Sequence, residues 1–417
     1  MKQISVAHLT FQLGQGGAGL AVRSLHQGLN CFSSIESRMI TSPLDNQNPS
    51  LSLYNDCAFK ALRYQYDLFR RISDRILAKL IARQYSWHSY SALPSLNASI
   101  INRLPVDIVH LHWVQAGFIS IDTISRIRKP LVWTLHDLWP LMGSDHVPVY
   151  RDGNFDLGNQ ALMRKLFSYQ SYKKRHLGNT QIHFIAPSQK IAELAKRTSN
   201  YSHSHRIHVI QNCFEPEKCL RESRMENHSK ETQVKEEPTV LFGAHGFLTD
   251  KNKGWDKFSL LVDKVAAGEV AINLEIFGDS RYHPMRHPRI RSHGVVKDRE
   301  KLRAIYSRAT LFASFSYFET FCYAGLEAAS SGASIICFDS SSLAEVVRNY
   351  KIGKVISASR CGESIVAETV EYAQRLFASP GARKAMPAEL VDLVSPARIA
   401  ARHEALYESL LREIAGR

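Results

Sequence analysis

Cysteine is sparse and scattered: seven in 417 residues, at Cys31, Cys57, Cys213, Cys219, Cys322, Cys337 and Cys361, with no Cys-x-x-Cys pair. That spacing argues against a disulfide scaffold and a structural zinc site and suits a reducing compartment. No window of about 18 apolar residues occurs, so no membrane-spanning helix is expected. Met1 to Val6 lacks a basic-then-apolar leader, because its first apolar residues already follow a strand pattern. The chain has no internal repeat, no low-complexity tract and no Asp-x-Asp metal motif, and no bound metal is expected. Acidic residues are in the minority, 39 Asp and Glu against 53 Lys and Arg, for a formal net charge of +14. A nucleic acid, an anionic membrane or an anionic substrate could each balance that charge. The basic residues form no Lys/Arg block and accompany no nucleic-acid motif, which argues against DNA or RNA and leaves the other two.

What is present is a globular composition, 44% hydrophobic and 22% charged. The length exceeds one compact core and predicts two domains. Lys2 to Phe11 reads as a buried strand, Gly14-Gln-Gly-Gly-Ala-Gly19 as a loop and Leu20 to Leu29 as a helix. A strand, glycine loop and helix start can present backbone N–H groups to an anion. The spacing is not the dinucleotide fingerprint, and a tight turn explains it equally well. Val106 to Trp113 and Leu131 to His136 are further strands, the first ending in the pair His112-Trp113 and the second in His136. Residues at such strand ends face the ligand crevice of an open α/β sheet, although His112 reads equally as a satisfied core histidine. Phe184 to Ser188 and Ile207 to Asn212 complete the first half.

Phe59 to Trp87 repeats apolar residues at helical intervals, with Lys60, Arg63, Arg70, Arg71, Arg75, Lys79 and Arg83 outnumbering Asp67 and Asp74. Such a helix can lie on an anionic membrane or turn its stripe into a core. Glu215 to Pro238 is charged without periodicity and reads as a connector. Beyond it come a strand from Pro238 to Gly246, the loop Asp250-Lys-Asn-Lys-Gly-Trp-Asp256 and a helix. Ala271 to Asp279 is a strand ending in Gly278 and Asp279; Ile335 to Phe338 is another, and Ser340 to Glu345 opens a helix. Ser395-Pro396 caps a last helix striped by Ile399, His403, Leu406, Leu410 and Ile414. The expected fold class is α/β, two Rossmann-like, doubly wound domains facing across a cleft. The expected bounds are 1–214, a linker 215–238, 239–394 and the helix 395–417.

The most informative stretch runs from Thr310 to Gly332. Thr310 to Phe315 reads as a strand and Cys322 to Ser331 as a helix that Gly332 stops. Glu319 stands in the turn and Glu327 on the helix, about 12 Å of helical rise apart, roughly a sugar-to-ribose span. The N–H groups of Thr320, Phe321 and Cys322 lie between them, where a helix start favours an anion. On spacing alone this would be a solvated helix face. In its setting, Phe-Glu-Thr-Phe…Gly-Leu-Glu-Ala…Gly resembles the Glu-x7-Glu motif of family 4 glycosyltransferases, retaining enzymes of the GT-B fold. Trp133-Thr-Leu-His-Asp-Leu-Trp-Pro140 is similar to a segment of bacterial polysaccharide glycosyltransferases of that family.

The resemblance implies a nucleotide-diphosphate sugar as co-substrate, with no separate cofactor and no metal. It implies that Glu327 accepts from ribose hydroxyls, that Glu319 holds the donor sugar or positions its diphosphate, and that Lys253 neutralises the diphosphate. His136 would reach the sugar or diphosphate, with Asp137 a weaker candidate. Gly16 and Gly17 would lie near the diphosphate and acceptor, Gly278 and Asp279 near the base, and the last helix would cross back onto the first domain. Two departures stand out. His245 to Phe247 occupy the place of the family's arginine, and Lys251, its candidate substitute, lacks the guanidinium fork. Gly143-Ser-Asp-His146 lacks the cysteines many relatives carry there. The implied acceptor is a saccharide or lipid-linked saccharide, and the implied location is cytoplasmic, with 59–87 touching the inner face of the membrane. A nucleotide-sugar-binding partner subunit without turnover is the competing expectation; the missing arginine favours it and the intact glutamate pair opposes it.

Overall fold

The computed structural model describes residues 3–13, 16–42, 69, 72–73, 88–91, 94–157, 169–216, 237–284, 286–379 and 385–416. The basic segment 59–87 lies outside these apart from Phe69, Ile72 and Ser73, as do Gly14, Gln15 and most of the charged connector. Among the described residues no helix is long and apolar enough to cross a membrane.

Short apolar runs bounded by polar turns become strands here because both their faces are covered. The first unit comprises Met1–Val149, Phe155–Cys213 and Leu393–Arg417. Its strands are β1 (Ser5–Thr10), β2 (Glu36–Thr41), β3 (Ile108–Leu111), β4 (Leu131–Thr134), β7 (Ile182–Ala186) and β8 (His205–Val209). Between β4 and β7, β5 (Val149–Arg151) and β6 (Asn154–Asp156) pair as a separate ribbon. The six strands form one parallel sheet in the order β2-β1-β3-β4-β7-β8. Strand order reverses between β1 and β3, which opens a crevice at their carboxyl ends.

One face of this sheet buries Val6, Ile108, Val132 and Ile185 against Leu25 and Leu29 of the helix Gly16–Phe32 and Ile399, Leu406 and Leu410 of the helix Pro396–Ala415. The last helix starts where its sequence dictates: the Ser395 side chain accepts from the Arg398 N–H at 3.2 Å, with Pro396 in the first turn. Its apolar stripe is buried only as far as Leu410; Ile414 is 48% exposed.

The second unit comprises Tyr150–Asn154 and Phe214–Asp392. Its strands are β9 (Thr239–Gly243), β10 (Asn273–Phe277), β11 (Ile290–Ser292), β12 (Leu311–Ser314), β13 (Ser334–Phe338) and β14 (Gly353–Ile356). They form a parallel sheet in the order β11-β10-β9-β12-β13-β14, so the reversal falls between β9 and β12. Side-chain alternation splits each strand between two cores. Val240, Phe242, Leu274, Ile276 and Ala313 pack on Phe258, Leu261 and Ile365. Leu241, Phe312, Ile335 and Cys337 pack on Ile305, Tyr306, Ala328 and Val347.

Candidate functional site

In the second unit, β9 and β12 are hydrogen-bonded neighbours in register Leu241↔Phe312, so the loops leaving their carboxyl ends emerge side by side. β9 feeds the short 3-10 turn Lys251–Lys253, and β12 feeds the turn that carries Glu319. Asn252 clips the two together. Its Nδ2 donates to the Phe318 carbonyl and its Oδ1 accepts from the Phe318 N–H, both at 2.8 Å. Its own carbonyl accepts from the Tyr317 N–H at 2.9 Å. The clip sets Lys253 Nζ 2.8 Å from Glu319 Oε1, both side chains about one-fifth exposed. Burial alone would lower the Lys253 pKa, but Glu319 and Asp250 more than reverse this, so the ammonium stays charged above the usual lysine range.

Gly254 ends the turn at φ +68, and a Cβ there would collide with the Phe315 carbonyl oxygen. A left-handed backbone costs a side-chain-bearing residue about 1–2 kcal/mol, and overpacking adds about 1–3. Gly254→Ala is therefore expected to destabilise the second unit by roughly 3 kcal/mol, a melting-temperature drop of about 6–12 °C by calorimetry. A loss under about 0.5 kcal/mol, the range of a neutral surface change, would contradict this packing.

Beyond Glu319 the chain turns through Thr320 and Phe321 to Cys322, and the helix runs Tyr323–Ser330. Phe321 is buried and its ring packs edge-on against Tyr323, so any role it has at a ligand is through its backbone. Cys322 adopts φ 64 and ψ 73, a left-handed conformation rare for a residue with a Cβ. Strain of this kind concentrates at functional turns, and this one adjoins Glu319. Burial pushes the Cys322 thiol up to about 12, so it stays protonated against Ser314 Oγ at 3.7 Å. Glu327 lies on the helix, where burial raises its carboxyl pKa and the Tyr306 hydroxyl, donating to Oε2 at 3.0 Å, opposes the rise.

Gly278 lies at φ +112 with no room for a Cβ beside the Ala244 carbonyl. Its N–H donates to Gly294 at 2.7 Å and its carbonyl accepts from Gly246 at 3.0 Å. The Asp279 carboxylate is taken up by Arg281 through Nε at 2.9 Å and Nη2 at 2.6 Å, and by the Leu248 N–H at 3.3 Å. Asp279 thus shapes the loop from 246 to 249 with its side chain fully engaged. Lys251 is exposed.

In the first unit, Gly16 and Gly17 open the helix that follows β1, with no acidic residue in its first turn to oppose an anion. His136 follows β4 and is half-buried, its Nε2 3.1 Å from His112 Nδ1; burial pushes its pKa down to about 4. His112 is 2% exposed and stands behind His136. Asp137 accepts from His146 Nδ1 at 2.7 Å, Trp113 Nε1 at 3.1 Å, Gln115 Nε2 at 3.2 Å and the Trp139 N–H at 3.0 Å. Its carboxylate anchors the loop after β4, and His146 fills the place where cysteines were lacking. Asn252 and Tyr306 carry no signal of their own in the sequence, because a clip and a hydroxyl partner depend on strand neighbours distant in the chain.

Comparison with known proteins adds to this geometry. Residues 57–218 match Glycosyltransferase Family 4, and residues 238–375 match Glycosyl transferases group 1. The chain is 23% identical over 302 residues to WcaC of Escherichia coli (strain K12), a glycosyl transferase named for colanic acid biosynthesis, covering 65% of this chain and 69% of that one. Sucrose-phosphate synthase from Thermosynechococcus elongatus superposes with a TM-score of 0.61 at 16% identity, covering 98% of this chain and 100% of that chain. Anabaena HepE in complex with UDP and glucose gives 0.54 at 13%, covering 97% and 99%.

Proposed function

This chain is a family 4-like glycosyltransferase of the GT-B fold, and we propose that it transfers a sugar, with retention, from a nucleotide-diphosphate sugar to a saccharide or lipid-linked saccharide. The observation that carries the reading is the Lys253–Glu319 pair, 2.8 Å apart at the reversal point of the second sheet. In the reaction the bond from the anomeric carbon to the diphosphate oxygen breaks. A bond to the acceptor oxygen forms on the same face, and the acceptor proton passes to the leaving phosphate. Lys253 and the N–H groups at the start of the helix Tyr323–Ser330 meet the charge that develops on the diphosphate. Glu319 orients Lys253 and accepts from sugar hydroxyls; Glu327 accepts from the ribose. Gly278 shapes the loop beside the base, and Gly16, Gly17 and His136 are the first unit's own candidates for substrate contact.

HepE in complex with UDP-glucose supports a uridine donor as the first to test, and WcaC, named for colanic acid biosynthesis, supports a saccharide acceptor in assembly of that kind. Turnover is favoured over a purely binding subunit because the acidic pair and its lysine are intact. A thermal-shift panel of nucleotides and nucleotide-sugars tests the reading, since a ligand that binds only the folded protein raises its melting temperature. A nucleoside diphosphate and its sugar conjugate should both raise it, and no response to any of them would refute the proposal.

Glu327→Gln separates binding from stability. A hydrogen bond to a charged group is worth about 1.5–3 kcal/mol, so donor affinity by calorimetric titration is expected to fall roughly 10- to 100-fold. The ligand-free protein should melt higher at neutral pH, because a carboxyl whose pKa burial has raised is ionised there at a cost. Lower melting together with unchanged affinity would contradict both assignments.

A further inference from the structure

The connection from β10 to β11 stands out in both shape and charge. The two strands are parallel neighbours, Leu274 opposite Ile290, and such pairs are usually joined through a crossover helix. Here the described residues of 278–289 form no helix. Pro284 and Pro288 suit that, since an interior proline removes a helical hydrogen bond and clashes with the preceding turn. The loop is nonetheless held. Tyr282 packs its ring on Trp255 and Phe247, with centroids 4.7 and 5.7 Å apart. Its carbonyl accepts from the Ser292 hydroxyl at 3.3 Å, and the His287 carbonyl accepts from the Ile290 N–H at 3.3 Å. The loop borders an open hollow with a volume of about 690 Å³, within the size range of small-molecule sites.

Charge sorts the side chains here into two groups. From 279 to 293, four arginines and three histidines stand against one acid, Asp279. Three of the seven are taken up by carboxylates: Arg281 by Asp279 at 2.6 Å, His293 by Glu275 at 2.9 Å, and Arg289 by Glu237. None of these three lines the hollow. The other four, His283, Arg286, His287 and Arg291, all line it, and none of them forms an ion pair among the described residues. No carboxylate lines it either. His287 Nδ1 accepts from the Arg289 N–H at 3.2 Å, so its Nε2 carries the ring's proton and is a donor.

An arginine on an edge strand also discourages pairing with another sheet, and β11 is such an edge. That would account for Arg291 alone. It does not account for Arg286 and His283, which stand off the strand on the same hollow. Cations that share one hollow repel one another, and a bound anion relieves the repulsion.

We infer that this hollow is a second anion site, which takes a small polyanion bearing phosphate or carboxylate groups. The guanidinium forks of Arg286 and Arg291 match such groups, each offering paired N–H donors. The site is not the diphosphate position proposed above, because none of Lys253, Glu319 and Glu327 lines it. Gly294 does, and its carbonyl accepts from the Gly278 N–H at 2.7 Å. An occupant therefore adjoins the loop proposed beside the base.

Titration calorimetry with inorganic pyrophosphate tests this, in the full chain carrying Lys253→Met so that the proposed donor site has lost its cation. At about 150 mM salt, attraction between exposed charges is screened beyond about 8 Å, and pyrophosphate should still bind. Adding Arg286→Gln or Arg291→Gln should each weaken binding roughly tenfold or more. Both side chains are exposed, so neither change should disturb the fold. Lys174→Gln with Arg175→Gln takes two charges, rather than one, from exposed positions of the helix Tyr169–Leu177 and should leave affinity unchanged. No binding in Lys253→Met, affinity unmoved by either arginine change, or equal loss on changing Lys174 and Arg175 would each overturn the inference. So would displacement of pyrophosphate by the bare nucleoside whose nucleotide shifts melting most, because the hollow would then be the base's own place. These readouts need no turnover. Should no nucleotide-sugar stabilise the protein, the proposed reaction fails while the second site stands.

Discussion

Acidification from pH 7 to pH 5 is expected to destabilise the first unit strongly while leaving the second nearly unaffected. Burial lowers His136 and His403 to about 4, against 6.5 in the unfolded chain. Above about 6.5 neither state binds the proton and nothing is lost. As pH falls from there towards 4, the unfolded chain takes up protons that the fold refuses, and stability drains away. At pH 5 each of the two costs on the order of 2 kcal/mol, and His8, His110 and His112 add to the loss in the same direction. For a unit of this size the melting temperature should fall by at least roughly 10 °C. In the second unit Glu275, lowered to about 2 by His293 and Arg308 against the opposing effect of burial, keeps its contribution until the pH drops below the ordinary carboxylate range. Scanning calorimetry should therefore resolve one acid-sensitive and one insensitive transition, and His403→Leu should flatten the first. A single transition that does not move between pH 7 and pH 5 would contradict neutral burial of the histidines.

Replacing either member of the Lys253–Glu319 pair is expected to cripple transfer. Losing one group that stabilises developing charge costs roughly 10²–10³-fold in kcat, and Lys253→Met should fall in that range. Glu319→Gln should lose a comparable factor, because it frees Lys253 from its 2.8 Å tether and weakens an acceptor for the sugar. Since the two act as a unit, the double variant should be little worse than the poorer single one. Lys253→Arg should not restore full activity, because a planar fork does not replace a point charge held in that clip. Activity of Lys253→Met within about threefold of wild type, well under one kcal/mol in the barrier, would remove the lysine from the chemistry.

The sheets were legible because their strands are short apolar runs that end in loops rich in glycine, histidine or acid. Thr310 to Phe315 was expected as a strand, and Leu311–Ser314 forms one. The helix expected from Cys322 begins at Tyr323, because Cys322 takes a left-handed backbone that starts no helix. What stayed hidden depends on register. That Lys253 touches Glu319, 66 residues on, follows from β9 and β12 lying side by side, which hydrophobic patterning does not state. His112 was equally a core histidine or a site residue; the structure places it behind His136, in the core and touching a candidate site residue at once. Asp137 was weighed for the site, yet its carboxylate is consumed by His146, Trp113 and Gln115. Asp279 likewise serves Arg281, a pairing between neighbours at a loop that composition leaves open.

Hydrogen exchange of the full chain, with and without the nucleotide-sugar that gives the largest thermal shift, asks most directly whether Lys253, Glu319 and Glu327 hold the donor. Amides of 251–254 and 319–330 should be the most strongly protected by that ligand, and Glu327→Gln should weaken the protection. Protection confined to other segments, with these two unchanged at saturating ligand, would contradict the account.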